Sequence, residues 1–332
     1  MNKTCAGCGS IMQSESPSLE GYINEKVYEK ASLCERCFKL THYGEANVIN
    51  RNSDYKSLIE KINKENKSVL YLVSALTLSE NTLRPLKEIK TKVYLVLTKI
   101  DLLPKSVKAK KLIEKIKEET LIKDIFVISA EKKLGVDEVL NKLEKDKVGE
   151  VYVLGYTNAG KSTLINSLLG SVGKKSFITV SSSANTTLEL IKIKISENVT
   201  VIDTPGFINK NSIIEYINHK EYKGIIPKKE IKPKIHILKP EFMIQLGEYL
   251  RIENNSKENA KLIFYFKNEL PLKKMRSIRN DRLKNLEKMH LIVEEGKDIV
   301  VEGLGYIKNC TNSDLDIYVI NKNILSIRDK LI

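Results

Sequence analysis

The pattern of hydrophobic and polar positions divides the first two thirds of the chain into short apolar runs and amphipathic stretches. Apolar, β-branched runs predict buried strands at 68–75, 92–97, 124–128, 151–154 and 199–202, with an alternating, edge-type strand at 188–195. Apolar residues at helical spacing predict helices at 46–66, 83–89, 105–120, 136–143 and 161–169. Such alternation is typical of a mostly parallel α/β sheet, which binds ligands at the carboxyl ends of its strands.

The last third of the chain follows a different pattern. Strand-like stretches at 262–266, 299–301 and 316–320, with polar segments between them, predict an α+β domain of hairpins and helices. One segment combines basic residues at every third position, which predicts a helix with a basic face that follows RNA phosphates. Its residues are Lys273, Arg276, Arg279 and Arg282, with Lys274 beside them. A solvated helix face is the alternative interpretation.

Charge and length limit the classes of protein that the chain can represent. Its 332 residues suffice for two or three domains, and its formal net charge of +14 favours a polyanionic partner, nucleic acid first. A merely lysine-rich proteome would explain that charge equally well. The sequence has no apolar run near about 18 residues and no apolar N-terminal signal region. We therefore expect a cytoplasmic monomer with no membrane partner.

A phosphate-binding loop is predicted between the strand at 151–154 and the helix at 161–169. Gly155, Gly160, Lys161 and Ser162 fit G-x-x-x-x-G-K-[ST], in which backbone N–H groups and the helix N-terminus bind phosphate. Lys161 is expected to reach the β- and γ-phosphates, and the Ser162 hydroxyl to bind Mg²⁺. The predicted nucleotide-binding residues here are Gly155, Asn158, Ala159, Gly160, Lys161, Ser162 and Thr163.

Guanine recognition is predicted at the ends of two earlier strands. The tetrapeptide from Thr98 and Lys99 to Asp101 matches [NT]-K-x-D, and Asp101 would accept hydrogen bonds from guanine N1–H and the N2 amine. Adenine offers neither donor in that geometry, so a buried carboxylate would select against ATP. Ser129 and Ala130 match the companion S-A motif, in which the Ala130 N–H meets guanine O6.

Two further motifs after the phosphate loop are typical of nucleotide-sensing switches. A Ser- and Thr-rich stretch ends at Thr186 and Thr187, and we favour Thr187 as the Mg²⁺ ligand that the γ-phosphate brings in. A plain surface loop is the alternative. The strand at 199–202 ends in Asp-Thr-Pro-Gly, where Asp203 is expected to hold Mg²⁺ and the Gly206 N–H to contact the γ-phosphate. Lys161, Asn158, Thr187 and Gly206 are the predicted catalytic residues.

Two cysteine pairs near the N-terminus predict a structural zinc site. Cys5-x-x-Cys8 and Cys34-x-x-Cys37 each place two thiolates on one turn, and together they make a tetrahedral Cys₄ set. A redox CxxC is the weaker alternative, because there are two pairs and no thioredoxin-like βαβ unit surrounds either. Cys310 is left over and is expected to be a buried free thiol.

The order of the motifs is unusual, because the guanine motifs precede the phosphate loop. Ordinary GTPases begin with the phosphate loop, so the order predicts a circularly permuted P-loop GTPase rejoined through residues 146–149. With its Cys₄ segment and the stretches at 227–233 and 303–306, the chain resembles the YqeH-type ribosome-biogenesis GTPases of bacteria. The predicted domains are a zinc finger at 1–45, a permuted GTPase domain at 46–218 and a basic C-terminal domain at 219–332.

The resemblance implies a GTPase that assists assembly of the small ribosomal subunit and contacts its rRNA. The cofactors expected are GTP or GDP, Mg²⁺, Zn²⁺ and K⁺, with Asn158 as the potassium ligand; an Asn that only tolerates a turn is the alternative. Phe207 replaces the water-orienting Gln of Ras-like enzymes, which predicts slow turnover. The alternative function is a zinc-containing RNA-binding module with a degenerate regulatory guanine-nucleotide site. A P-loop phosphotransferase is disfavoured, because it has no need for the guanine motif.

Overall fold

A computed structural model of the protein describes residues 3–5, 11–15, 21–35, 55–172, 178–179, 190–277 and 286–331. The chain separates into two compact units, each assembled from three stretches. The first unit consists of Met1–Ser74, Pro85–Lys99 and Ile116–Ile208. The second consists of Ala75–Arg84, Ile100–Lys115 and Asn209–Ile332.

The α-helices of the described residues are short and lie between Glu25 and Ile225. Within the described residues they lie at Glu25–Tyr28 (α1), Tyr55–Glu65 (α2), Glu80–Leu83 (α3), Ala109–Glu119 (α4), Val136–Lys145 (α5), Lys161–Ser171 (α6) and His219–Ile225 (α7). Single 3₁₀ turns occupy Ala75–Thr77, Arg84–Glu88, Ile100–Leu102, Ile213–Glu215 and Lys322–Ile324. The predicted helix at 83–89 is therefore replaced by α3 and a 3₁₀ turn. Pro85 lies in that turn and has no N–H for a helical bond.

The first unit is built on a seven-stranded sheet. Its strands are Ser68–Ser74 (β1), Val93–Thr98 (β2), Asp124–Val127 (β3), Gly149–Gly155 (β4), Ile178–Thr179 (β5), Ile191–Lys194 (β6) and Val199–Asp203 (β7). Their order is β3-β2-β1-β4-β7-β6-β5, and the first five are parallel. The predicted α/β sheet is confirmed. β6 is not the edge, however, because it pairs antiparallel with both β7 and β5.

Alternation along β4 shows how the sheet is covered on both faces. Val151 and Val153 belong to a buried cluster with the apolar stripe of α5 and with α6. Tyr152, between them, points to the opposite face, as the period of two requires. Its hydroxyl donates to Glu65 at the end of α2, at 2.8 Å. The segment 146–148 joins α5 to β4, whereas Gly149, predicted to belong to this connection, is the first residue of β4.

The second unit is dominated by two five-stranded antiparallel sheets around one apolar core. The strands are Lys234–Leu238 (β8), Phe242–Leu246 (β9), Leu250–Asn254 (β10), Ala260–Tyr265 (β11), Leu272–Arg276 (β12), Glu287–Val293 (β13), Lys297–Val301 (β14), Gly305–Asn309 (β15), Ser313–Val319 (β16) and Leu325–Asp329 (β17). One sheet has the order β12-β9-β10-β16-β13, and the other has the order β17-β14-β15-β11-β8. The predicted strands at 262–266, 299–301 and 316–320 are present, but the described residues after α7 form strands and one 3₁₀ turn rather than the predicted mixture with helices.

The basic segment that begins at Lys273 is not a helix where the structure describes it. Lys273, Lys274 and Arg276 lie on β12, an edge strand paired with β9. Because side chains alternate along a strand, Lys273 projects from the face opposite to Arg276. The predicted helix with a common basic face is therefore wrong for Lys273 and Arg276. Arg279 and Arg282 lie outside the described residues.

Candidate nucleotide site

The phosphate loop joins the central strand β4 to helix α6, as predicted. Gly155 ends β4, and a Cβ atom at this position would lie 2.6 Å from the carbonyl oxygen of Leu72 on the neighbouring strand. Only glycine fits there without displacing backbone. The loop then passes through Asn158, which is exposed and has a left-handed φ of 64°, before α6 begins at Lys161. The N-terminus of α6 therefore follows directly on a glycine-rich turn, the arrangement that binds phosphate.

Lys161 is buried at the start of α6, with 7% of its surface exposed. Its Nζ donates to the Gly155 carbonyl oxygen at 2.9 Å and approaches that of Tyr156 at 3.5 Å. Burial lowers the pKa of Lys161 to about 8, and the Asp203 carboxylate opposes that shift. A buried ammonium beside neutral carbonyls favours an anionic ligand, because phosphate oxygens would replace weak partners with charged ones.

The D-T-P-G segment lies against this loop. Asp203 ends β7 and is 4% exposed, while the buried Thr204 hydroxyl donates to the Val153 carbonyl oxygen at 2.7 Å. A Cβ atom on Gly206 would lie 3.0 Å from Lys161 Nζ and 3.2 Å from Thr157 Cα. Gly206 is thus within contact distance of the loop, and a side chain there would require Lys161 Nζ or the Thr157 backbone to shift by a few tenths of an ångström.

The base-recognition strands end at the same edge of the sheet. Thr98 ends β2, and its hydroxyl donates to the Ala159 carbonyl oxygen at 2.6 Å, while its side chain lies 3.6 Å from a Cβ built on Gly160. Ser129 is fully buried, its hydroxyl accepts from the Lys132 N–H at 3.2 Å, and half-buried Ala130 follows it. Thr98 thereby joins the base-recognition strand to the phosphate loop.

Two other residues of the guanine motif follow Thr98 in a tight turn. Lys99 adopts a left-handed φ of 59°, and Asp101 lies half-buried in the 3₁₀ turn Ile100–Leu102. The assignment of guanine recognition to Lys99 and Asp101 stays a prediction.

The residues present fit a magnesium ion with the nucleotide. Ser162 lies in the first turn of α6 and Asp203 at the end of β7, and both supply the oxygen donors that Mg²⁺ prefers. The remaining donors to such an ion commonly come from water and phosphate. Thr187 lies outside the described residues. Thr163 is exposed, and its role stays a prediction.

Two of the four predicted zinc ligands lie in one small cluster. Cys5 and Cys34 are buried, at 2% and 1% exposure, and the Cys34 N–H donates to Cys5 Sγ at 3.1 Å. An N–H···S bond stabilises a thiolate, which is the form that binds zinc. Cys8 and Cys37 lie outside the described residues, so the set of four stays a prediction. Cys310, expected to be buried, is half-buried.

The candidate RNA-binding residues within the described segments lie at a sheet edge. The side chains of Lys273, Lys274 and Arg276 are exposed, and Lys274 Nζ donates to the Ile237 carbonyl oxygen. Lys274 Nζ also lies 5.5 Å from the ring centroid of Phe242.

No helix in the described ranges has the length and apolar character required to cross a membrane.

An aromatic cluster beside the loop was missed by the sequence analysis. Phe207 is 6% exposed, and its ring lies near the rings of Tyr55 and Tyr156. The only sequence signal for Tyr55 is its position just before the apolar stripe of α2. Its proximity to Phe207 depends on how α2 packs on the sheet, so no local pattern indicates it.

Comparison with known proteins gives both family and relatives. The family model described as RsgA GTPase matches residues 43–212, and the model described as 50S ribosome-binding GTPase matches residues 150–292. The "Uncharacterized protein YqeH" of Bacillus subtilis is 32% identical over 305 residues, which cover 89% of this chain and 83% of that protein. "Nitric oxide-associated protein 1" of Mus musculus is 30% identical over 253 residues, covering 58% of this chain and 36% of that protein. The solved structure of GNP-bound YlqF from T. maritima matches with a TM-score of 0.33 and 20% identity, covering 50% of this chain and 70% of that one.

Proposed function

The chain belongs to the YqeH-like, circularly permuted GTPases, and on that premise we propose that it acts in small (30S) ribosomal subunit biogenesis. It is a GTPase that converts GTP to GDP and phosphate. The observation that carries the GTPase part of the proposal is the Thr98–Ala159 hydrogen bond. It joins a base-recognition strand to a phosphate loop that follows it in the chain, as a permuted guanine-nucleotide site requires.

The residues at this edge support a division of roles during hydrolysis. Lys161 would exchange its carbonyl partners for β- and γ-phosphate oxygens, and the Gly206 N–H would bind the γ-phosphate. Ser162 and Asp203 would hold Mg²⁺, which neutralises charge on the phosphates. The side chain of Phe207 has no polar atom with which to orient water, so we propose slow intrinsic turnover. A potassium ion held by Asn158 would supply positive charge, although the left-handed turn at Asn158 also explains that residue.

The ribosomal part of the proposal has its own support. The net charge of +14 and the basic excess of residues 220–332, with 23 basic and 16 acidic residues, favour an rRNA partner. Lys273, Lys274 and Arg276 are exposed for such contact. Cys5 and Cys34 are the described part of the proposed zinc site. One matched family description names the 50S subunit, whereas we propose the small subunit.

Hydrolysis and base specificity are tested together. We expect GTP turnover by the purified protein to be faster in KCl than in NaCl, and Asp101→Asn to shift preference from GTP to XTP. Guanine carries an amine at C2, whereas xanthine carries a carbonyl oxygen there. The asparagine amide can donate a hydrogen bond to that oxygen, which the Asp101 carboxylate cannot do. Equal rates in the two salts would remove the potassium proposal. Retained guanine binding without hydrolysis in either salt would favour a regulated RNA-binding module.

The choice of ribosomal partner needs a separate measurement. We expect the protein to sediment with purified 30S subunits in the presence of a non-hydrolysable GTP analogue, and to be released with GDP. Binding should weaken steeply as salt rises, because phosphate contacts release counterions. Sedimentation with 50S subunits alone would overturn the small-subunit proposal while leaving the GTPase intact.

A further inference from the structure

Phe207 is attached to the phosphate loop through its backbone. Its N–H donates to the Gly155 carbonyl oxygen at 3.1 Å. Its own carbonyl oxygen accepts from the Thr157 N–H at 2.9 Å and from the Thr157 hydroxyl at 3.1 Å. These three bonds attach Phe207 to the loop, so a shift of the Phe207 ring and backbone would also move the preceding Gly206 and its N–H.

The ring of Phe207 is held between two tyrosine rings. Tyr156, in the loop itself, lies edge-on at 5.8 Å between centroids, with an interplanar angle of 81°. Tyr55, the first residue of α2, lies at 5.6 Å and 52°. Both distances are in the attractive range for aromatic pairs. Tyr55 is therefore the residue outside the loop that supports Phe207 from α2.

Helix α2 is anchored independently of this contact. The Tyr55 hydroxyl donates to Glu88 at 3.1 Å. At the other end of the helix, Asn63 donates to the Glu88 carbonyl oxygen at 2.9 Å and accepts from the Lys90 N–H at 2.8 Å. Glu65 accepts from Tyr152. These bonds hold α2 whether or not the Tyr55 ring contacts Phe207, so removal of the ring can be compared with removal of one of the helix's other contacts.

We propose that Tyr55 is a positioning residue for GTP hydrolysis: its ring holds Phe207, and with it the Gly206 N–H, against the phosphate loop. The inference rests on the GTPase function proposed above. GDP has no γ-phosphate for Gly206 to contact, so loss of the Tyr55 ring lowers affinity for the triphosphate and leaves GDP affinity unchanged. The Tyr55 hydroxyl contacts Glu88 rather than Phe207, so the ring carries the effect.

The test compares Tyr55→Ala and Tyr55→Phe with Asn63→Ala as the matched control on the same helix. The affinities for a fluorescent non-hydrolysable GTP analogue and for GDP are measured with kcat and KM for GTP. For Tyr55→Ala we expect the affinity ratio of triphosphate to GDP to fall about three- to tenfold, and kcat to fall comparably. Tyr55→Phe keeps the ring and should stay within about twofold of wild type.

The control separates positioning from stability. Asn63→Ala removes two hydrogen bonds of α2 and should lower Tm without changing the affinity ratio. An unchanged ratio in Tyr55→Ala, or an equal fall in Asn63→Ala, would overturn the proposal. If Tyr55→Ala does not unfold cooperatively, Tyr55→Leu replaces it, because leucine keeps apolar contact without an aromatic pair.

Failure of the underlying function gives a different result. If wild type binds the triphosphate analogue more tightly than GDP but does not hydrolyse GTP, the affinity ratio still tests Tyr55, and hydrolysis alone is lost. If wild type binds neither nucleotide, the guanine-nucleotide site itself is wrong, and the role of Tyr55 falls with it.

Discussion

Charged residues are arranged differently at the two ends of the parallel strands in the first sheet. We call the end where the strands begin the amino edge and the end where they finish the carboxyl edge. At the amino edge, Lys92 and Lys142 bind Asp146 at 2.5 and 2.9 Å, and the Tyr94 hydroxyl donates to the same carboxylate at 2.7 Å. Hydrogen bonds from Lys92, Lys142 and Tyr94 hold the pKa of Asp146 well below its usual range. Each charge there is met by an opposite charge, and the groups remain in contact with water.

At the carboxyl edge, Lys161 is buried beside glycine backbone, with Asp203 as the carboxylate that influences its pKa. The lysine at the carboxyl edge therefore donates to carbonyl oxygens, whereas the lysines at the amino edge bind carboxylates. Paired charges at a surface contribute modest stability, whereas a buried ammonium costs stability and attracts an anion. Incomplete compensation of charge, rather than charge itself, therefore distinguishes the carboxyl edge, where we propose the nucleotide site.

The largest effect is expected from Lys161→Met, which removes the charge at the carboxyl edge. We expect kcat for GTP to fall about a thousandfold, because the substitution removes the charge that binds the phosphates. Tm of the nucleotide-free protein should stay unchanged or rise, because methionine fills the buried site without a charge to desolvate. The measurements are steady-state hydrolysis and thermal unfolding.

Lys92→Met is the control at the amino edge. It should keep hydrolysis within about twofold of wild type and lower Tm slightly, because it removes an exposed ion pair remote from the loop. A Lys161→Met protein with wild-type hydrolysis, or a Lys92→Met protein without it, would refute the assignment of the two edges.

The second unit contains a carboxylate, that of Glu302, which is buried rather than exposed to water. Glu302 is 1% exposed and accepts from the Ser79 hydroxyl and, at 3.4 Å, from that of Ser326, with Arg328 nearby. Burial raises its pKa to about 7, above the 4.5 of the unfolded chain. The folded protein therefore takes up a proton below pH 7, and its stability falls as pH rises from about 4.5 to about 7.

Glu302→Gln should remove that pH dependence. We expect the unfolding free energy of wild type, relative to the variant, to fall by roughly 2–3 kcal/mol between about pH 5 and pH 8. Urea unfolding across this range measures it. A constant difference between the two proteins would mean that Glu302 does not change protonation between them.

A smaller effect on activity is expected from Gly206→Ala. The added methyl group would meet Lys161 Nζ and the Thr157 backbone at 3.0–3.2 Å, and so displace the Gly206 N–H from the γ-phosphate. Hydrolysis should fall about tenfold, while GDP affinity stays within about twofold. Gly224→Ala, where a methyl group meets nothing within 4 Å, is the control and should leave both unchanged. Equal loss of GDP affinity in Gly206→Ala would contradict a γ-phosphate role.

The smallest effect is expected at the amino edge, from Asp146→Asn. It should leave hydrolysis unchanged and lower Tm slightly at neutral pH, because Lys92 and Lys142 lose a charged partner. The difference should shrink in about 1 M NaCl and vanish as pH falls below the range where Asp146 ionises. Thermal unfolding at two salt concentrations and two pH values tests this. A large difference that persists at high salt would argue for a structural role beyond ion pairing.

The sequence alone determined the parts of the protein that depend on neighbouring residues. The strand, glycine turn and helix around Lys161, the position of Asp203 at a strand end and the permuted motif order were predictable. Each depends on local periodicity and on residue types whose backbone preferences act over a few positions. Parallel strands then bring their carboxyl ends to one edge, so the site could be anticipated without coordinates.

Only the tertiary structure decided features that depend on pairing between distant segments. Lys273 and Arg276 have the three-residue spacing of a helix face, but they lie with Lys274 on strand β12, which pairs with β9. Exposed charged residues carry no apolar stripe that would distinguish a helix from a strand. The Tyr55–Phe207 contact, the burial of Lys161 and the raised pKa of Glu302 likewise come from packing. Local pattern indicates which element a residue joins. The partners and solvent exposure that set its chemistry follow from long-range contacts, whose free energy is decided by the whole fold.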